Sequence, residues 1–178
     1  YYSIFDLDKK EISGDLKIAA DNKAVKDIAI YGDNLYVLDN EQSQIFKYPE
    51  SGQGFSGGTK WLKDGYELSN ASSLTIDGSI YVIANDGNIK NFLKGELNDF
   101  NYHKPNPEIG AGAIIKTFRG SNYLYIIDPQ NKRIDILDKE GNIKDQYSSQ
   151  SFDDLTDLAI DPQEKAIYLL NGNHIYLL

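Results

Sequence analysis

The 178-residue sequence has no cysteine. That excludes disulfides, thiolate metal sites and a cysteine nucleophile, and leaves the redox compartment open. It has two histidines, His103 and His174, set in unrelated polar stretches. A zinc site built from histidine needs a third ligand and a shared locus, which this pair does not offer. Both read as solvated loop residues. No apolar run approaches the roughly 20 residues of a membrane helix, and no signal peptide is visible. Basic residues are in deficit: 18 Lys and Arg against 27 Asp and Glu give a net charge of −9 and a pI near 4.6. Such a surface repels phosphate backbones, so no nucleic acid is expected as a partner. No segment sustains a helical period. The chain begins with Tyr1 instead of Met, as a processed product or an excised piece would.

What is present is ordinary in bulk and periodic in order. At 40% hydrophobic and 25% charged, the chain suits one soluble domain over 1–178 with a buried core. Four segments share an apolar–Tyr–apolar–apolar run. They are Leu35-Tyr36-Val37-Leu38, Ile80-Tyr81-Val82-Ile83, Leu124-Tyr125-Ile126-Ile127 and Ile167-Tyr168-Leu169-Leu170. Their tyrosines lie 45, 44 and 43 residues apart. Spacing this regular marks a repeat, and a repeat near 44 residues sets the architecture.

Each run sits in the same surroundings. A short apolar segment precedes it, as in Asp27-Ile28-Ala29-Ile30 or Asp157-Leu158-Ala159-Ile160, and turn residues such as Asp77-Gly78 lie between. Asp-Gly and Asn-rich turns supply the positive φ that tight hairpins require. A third strand follows, as at Ile134-Asp135-Ile136, and a more polar fourth, as at Ile143 to Tyr147. Each repeat therefore reads as four antiparallel strands, a to d, over 25–66, 67–108, 109–150, and 151–178 completed by 1–24. Strand b is apolar on consecutive positions, which predicts that both of its faces are buried. Four-stranded sheets stacked face to face meet that demand. The expected fold is an all-β propeller with one repeat per blade. Ala29, Thr75 and Ala159 share one place on strand a, where inner strands crowd; Lys116 breaks the rule and is expected to reach solvent in a central channel.

The chain ends are out of phase with whole blades. Ser3 to Lys9 matches Arg133 to Lys139 in pattern, so the chain opens in a strand c, with a strand d around Glu11 to Ile18, and it closes in another strand c, His174 to Leu178. Four strands of type a face five of type c. Either Tyr1 to Asp8 is an outer strand of a closed four-bladed ring, or the chain is part of a larger propeller. Regular strands near both ends lean toward a closed monomer without an exposed edge.

Asp-Leu-Ala-Ile-Asp (157–161) with Ile-Tyr-Leu-Leu-Asn (167–171), and Leu-Tyr-Ile-Ile-Asp-Pro-Gln-Asn-Lys-Arg-Ile (124–134), resemble NHL and YWTD-type propeller repeats. The resemblance spans essentially the whole chain. It departs where Asn-x-Arg-Ile gives way to Gln42-Ser43-Gln44-Ile45 and Gly87-Asn88-Ile89. Trp61-Leu62-Lys63-Asp64-Gly65, Ile76 to Val82 and Ile167 to Asn173 look like uncharacterised bacterial propellers at the C-terminus of larger proteins, some with a metal-dependent protein phosphatase domain. That likeness implies an appended, extracytoplasmic binding domain and identifies no ligand.

Two motifs overlap in Gly52-Gln53-Gly54-Phe55-Ser56-Gly57-Gly58: G-x-G-x-x-G and G-x-S-x-G. A dinucleotide site and a nucleophile elbow both need a strand–turn–helix setting. This stretch links strand c to strand d with no helix after it, so it reads as a flexible loop. Aspartates such as Asp33, Asp39, Asp86 and Asp128 fall at turns, where they cap their own backbone. No calcium loop of D-x-[DN]-x-[DN]-G form appears. Neither a cofactor nor a catalytic residue is assigned. The residues opening strand a, Asp27, Ser73 and Asp157, should converge with Lys116 near one mouth of the axis, which makes these four the candidate ligand-binding group. The leading function is a non-catalytic binding module taking a protein, peptide or glycan on one propeller face. The alternatives are a hydrolase or lyase at the channel mouth and a structural spacer of a cell-surface protein.

Overall fold

The computed structural model describes residues 2–6, 8–16, 22–52, 54–55, 57–63 and 65–178, and all regular structure among them is β. The chain forms two compact units, Tyr1–Ser69 and Asn70–Leu178.

In the first unit, β1 (Tyr2–Asp6) and β2 (Glu11–Leu16) pair as an antiparallel hairpin with a bulge between Ile4 and Phe5. The expected strand d ran on to Ile18, which lies outside the described residues, as does Leu7. A meander follows: β3 (Val25–Tyr31), β4 (Asn34–Asp39) and β5 (Gln44–Ser51), with β6 (Gly54–Phe55) and β7 (Thr59–Lys60) both pairing with β5. The glycine-rich stretch is thus partly a hairpin: Ser51 pairs with Gly54, and Glu50 with Phe55. Gln53 and Ser56 of the two motifs lie outside the described residues. Gly58 serves packing, since a Cβ there would run into the ring of the fully buried Tyr48.

The second unit holds three sheets with strands in chain order. One comprises β8 (Ala71–Ile76), β9 (Ile80–Ala84), β10 (Ile89–Leu93) and β11 (Glu96–Asn98). The next comprises β12 (Ile114–Lys116), β13 (Tyr123–Asp128), β14 (Arg133–Asp138) and β15 (Ile143–Ser148). The last has three strands, β16 (Leu155–Ile160), β17 (Ile167–Asn171) and β18 (His174–Leu177). Besides the β1–β2 hairpin, the four larger sheets, one in the first unit and three in the second, are blades of propeller type.

The repeat holds in register. Opposite each repeat tyrosine on the second strand stands the variable strand-a residue: Ala29 faces Tyr36, Thr75 faces Tyr81, Lys116 faces Tyr125 and Ala159 faces Tyr168. Consecutive sheets of the second unit bury each other. Tyr81, Ile83 and Ile89 pack with Ile115, Leu124 and Ile126 of the next sheet. Tyr125, Ile127, Ile134 and Ile136 pack in turn with Leu155, Leu158, Ile167 and Leu169. Each such side chain, fully buried, contributes about 1.5–3 kcal/mol by leaving water. Hydroxyls of β8 stitch the first of these sheets to the second beside β12: Ser72 Oγ donates to the Ala113 carbonyl at 2.6 Å, and the Thr117 amide donates to Thr75 Oγ1 at 2.9 Å.

The expectation that strand b buries both faces holds for β4, β9 and β13 and fails for β17. There, burial alternates, with Ile167 and Leu169 inside and Tyr168 and Leu170 exposed. The apolar run is the same; the alternation sets Ile167 and Leu169 against the preceding sheet.

Candidate functional site

Asp27, Ser73 and Asp157 all follow a β-bulge at the opening of strand a, between Val25 and Asp27, Ala71 and Ser73, and Leu155 and Asp157. A bulge bends the strand and re-aims the side chain beside it. The two aspartates hold the same local bond: Asp27 Oδ1 accepts from the Ile28 amide at 2.8 Å, and Asp157 Oδ1 from the Leu158 amide at 2.9 Å. In the second unit the structure brings Lys116 and Asp157 together, with Nζ 3.0 Å from Oδ1 and both side chains partly exposed. Ser73 is buried, and its Oγ accepts from the Ile115 amide at 3.4 Å, a bond between adjacent inner strands. Asp27 belongs to the first unit.

A second locus in the same unit was missed by sequence reasoning. A cavity of about 420 Å³ opens beside β13 and β15. Tyr123, Tyr125 and Tyr147 wall it, and Lys144, Asp145 and Glu164 stand at its rim. Glu164, in the β16–β17 turn at a left-handed φ of 56°, reaches the β12–β13 turn of the neighbouring sheet. Its Oε1 accepts from Ser121 Oγ at 2.6 Å and the Asn122 amide at 3.0 Å, and its Oε2 from Asn122 Nδ2 at 2.7 Å. The Tyr125 hydroxyl donates to Oε1 at 3.2 Å. Burial alone would raise the Glu164 carboxyl, but these bonds outweigh it and hold the group below its ordinary range. The Tyr125 hydroxyl is pushed up, first by burial and then by the Glu164 charge. The Tyr147 hydroxyl, also lining the cavity, donates to Asp145 Oδ2 at 2.9 Å, which pushes the phenol up. One signal for this locus was in the sequence: Tyr123 stands where the other repeats carry Asn34, Ser79 and Ala166.

Beneath the third strand of this sheet lies a buried ionic cluster. Arg133 Nη2 is 3.1 Å from Asp128 Oδ2, and Nε is 3.0 Å from Asp135 Oδ2. Nη2 also donates to the Pro107 carbonyl at 2.7 Å, and Gln146 Nε2 to Asp135 Oδ1 at 2.6 Å. Burial dominates at Asp135 and pushes its carboxyl up. Every acceptor named here has a donor from the protein, so the cluster is a structural clamp. Among the described residues no group of three His, Cys, Asp or Glu is arranged to hold a metal ion, and no helix is long and apolar enough to cross a membrane.

No protein-family model matches the chain, and no curated protein matches it in sequence. Solved structures do match in shape. The computationally designed Ika4 protein aligns with a TM-score of 0.62 at 12% identity over 90% of this chain and 93% of its own. PorZ, an essential bacterial surface component of the type-IX secretion system of Porphyromonas gingivalis, gives 0.65 at 18% identity over 99% of this chain and 22% of its own. Streptogramin B lyase gives 0.66 at 16% identity over 99% of this chain and 57% of its own. The chain therefore spans a minor part of PorZ and little more than half of the lyase. At these identities the likeness shows the fold, a β-propeller, and nothing of activity.

Proposed function

We propose that the chain is a non-catalytic binding module that docks a protein, peptide or glycan on the blade surface around Tyr123, Tyr125 and Tyr147. The propeller fold supports a binding or scaffold role in general. The observation that carries the finer reading is the tyrosine-walled cavity. Aromatic faces offer stacking area to sugar rings and peptide planes at little conformational cost. The carboxylates at its rim are engaged, Glu164 by Ser121, Asn122 and Tyr125, and Asp145 by Gln146 and Tyr147. Such an arrangement holds a ligand's shape better than it moves a proton. The exposed Lys116–Asp157 pair offers a polar ligand a second foothold. The likeness to NHL and YWTD-type repeats, and to propellers appended to a phosphatase domain, supports placement as the extracytoplasmic sensor of a larger bacterial protein.

The test is a screen of an oligosaccharide panel and a peptide display library, followed by titration of any hit against variants. Tyr123→Ala and Tyr147→Ala should each weaken binding about tenfold, equivalent to about 1.4 kcal/mol, with Lys90→Ala unchanged. A hit that binds both tyrosine variants as tightly as the wild type, or one that the protein turns over, would sink this reading.

A further inference from the structure

Within the second unit, the turn between β12 and β13 is gripped by the sheets on both of its sides. On the β8–β11 side, the Thr117 amide donates to Thr75 Oγ1 at 2.9 Å, and Thr75 Oγ1 donates to the Thr117 carbonyl at 3.2 Å. Lys139, from the β14–β15 turn, closes the same contact. Its Nζ donates to Asp77 Oδ2 in the β8–β9 turn and, at 2.7 Å, to Thr117 Oγ1, and it lies 5.2 Å from the centroid of the Tyr81 ring on β9. The lysine and aspartate side chains are only 22% and 14% exposed, so the ion pair is largely withdrawn from water. On the β16–β18 side, Glu164 holds Ser121 and Asn122.

The turn is bonded continuously between the two grips. Thr117 Oγ1 donates to the Tyr123 carbonyl at 2.8 Å, and the Tyr123 amide donates to Ser121 Oγ at 3.1 Å. That hydroxyl is the one that donates to Glu164. Bonds therefore run from Asp77 through Lys139, Thr117, Tyr123 and Ser121 to Glu164, across three consecutive sheets.

We propose that the β12–β13 turn couples the two interfaces of its sheet, so that the grip of Asp77 and Lys139 on one side strengthens the grip of Glu164 on the other. Each grip requires the same turn to be ordered. The one that forms first meets the entropic cost, and the other is relieved of it. Charge acting through space has the opposite sign. Asp77 and Glu164 are both carboxylates, and Lys139 also attracts Glu164. Neutralising Asp77 would by charge alone tighten the bonds to Glu164, whereas a shared turn predicts that they loosen. The coupling stands on contacts between sheets and is independent of any ligand in the tyrosine-walled cavity.

Hydrogen exchange of the whole 178-residue chain, resolved amide by amide, tests it. Asp77→Asn suits one arm. Asp77 Oδ1 accepts from the Ser79 amide at 3.1 Å, a bond that asparagine keeps, so its side-chain nitrogen turns toward the Lys139 ammonium. In this variant the Asn122 amide, which is bonded to Glu164, should exchange about fivefold faster, at the low end of coupling between sites. Coupling is reciprocal, so Glu164→Gln should speed exchange at the Thr117 amide by a similar factor. Exchange at Ile126, within its own sheet, should not change in either variant. The proposal is overturned if Asp77→Asn leaves Asn122 unchanged or slows it, or if Glu164→Gln leaves Thr117 unchanged. It is equally overturned if Ile126 quickens in step, since the loss would then be one of global stability. The two arms read the same turn from opposite ends, so either one decides if the other variant fails to fold.

Discussion

Arg133 carries two buried carboxylates and a loop carbonyl on one guanidinium, and its fork geometry makes that possible. Arg133→Met keeps the length of the side chain and removes the charge, leaving Asp128 and Asp135 buried without it. The expected cost is about 3–5 kcal/mol, read as a lower midpoint in urea unfolding. A loss under about 1 kcal/mol would mean that the cluster is solvated in solution. Arg133 was visible in the sequence as part of an Asn-Lys-Arg-Ile element, but its burial was not. Pro107, which accepts its third bond, comes from a stretch without periodicity, and such a partner leaves no trace in spacing. The residues facing the repeat tyrosines were legible because register in a sheet is local: a fixed turn fixes who stands opposite whom. Of the four proposed ligand residues, Lys116 and Asp157 meet from different places on adjacent inner strands, Lys116 opposite Tyr125 and Asp157 opposite Leu170, a contact that spacing alone did not specify. The buried bond of Ser73 was no more legible, because a hydroxyl reads alike whether it meets water or a neighbour's amide.

Turns as well as strands lock neighbouring sheets. Glu164 joins the β16–β17 turn to the β12–β13 turn through a carboxylate whose pKa is depressed, so its stabilisation requires the charged form. The contribution is fully present above the ordinary glutamate value of 4.5 and is lost as pH falls through the depressed folded value. Glu164→Gln should therefore cost on the order of 1–2 kcal/mol near neutrality, after allowing for solvent at the rim. The gap between wild type and variant should close in acid, as thermal melts across pH would show. A gap that stayed constant with pH would assign the loss to geometry instead of charge. Strands themselves were legible from their apolar runs, and β17 shows the limit of that reading. Its apolar run is continuous, yet its burial alternates residue by residue, which the run alone does not foretell.

The whole chain was legible as a series of blades because one period recurs four times, and no competing helical signal interferes. The tyrosine-walled cavity was not, because it is assembled from two sheets and a turn that the repeat treats as separate units. The bond from the Thr117 amide to Thr75 Oγ1 has a further consequence, since donor and acceptor belong to different sheets. An amide held by its own strand exchanges its proton when that strand frays. This one can exchange only when two blades part, so it clocks the breathing of the stack and not the melting of a sheet. Thr75→Val should speed deuterium uptake at Thr117 while uptake at Ile126, deep in its own ladder, stays as slow as before. If both amides quicken together, the blades of the second unit open as one cooperative body, and no separate motion between neighbours exists to be timed.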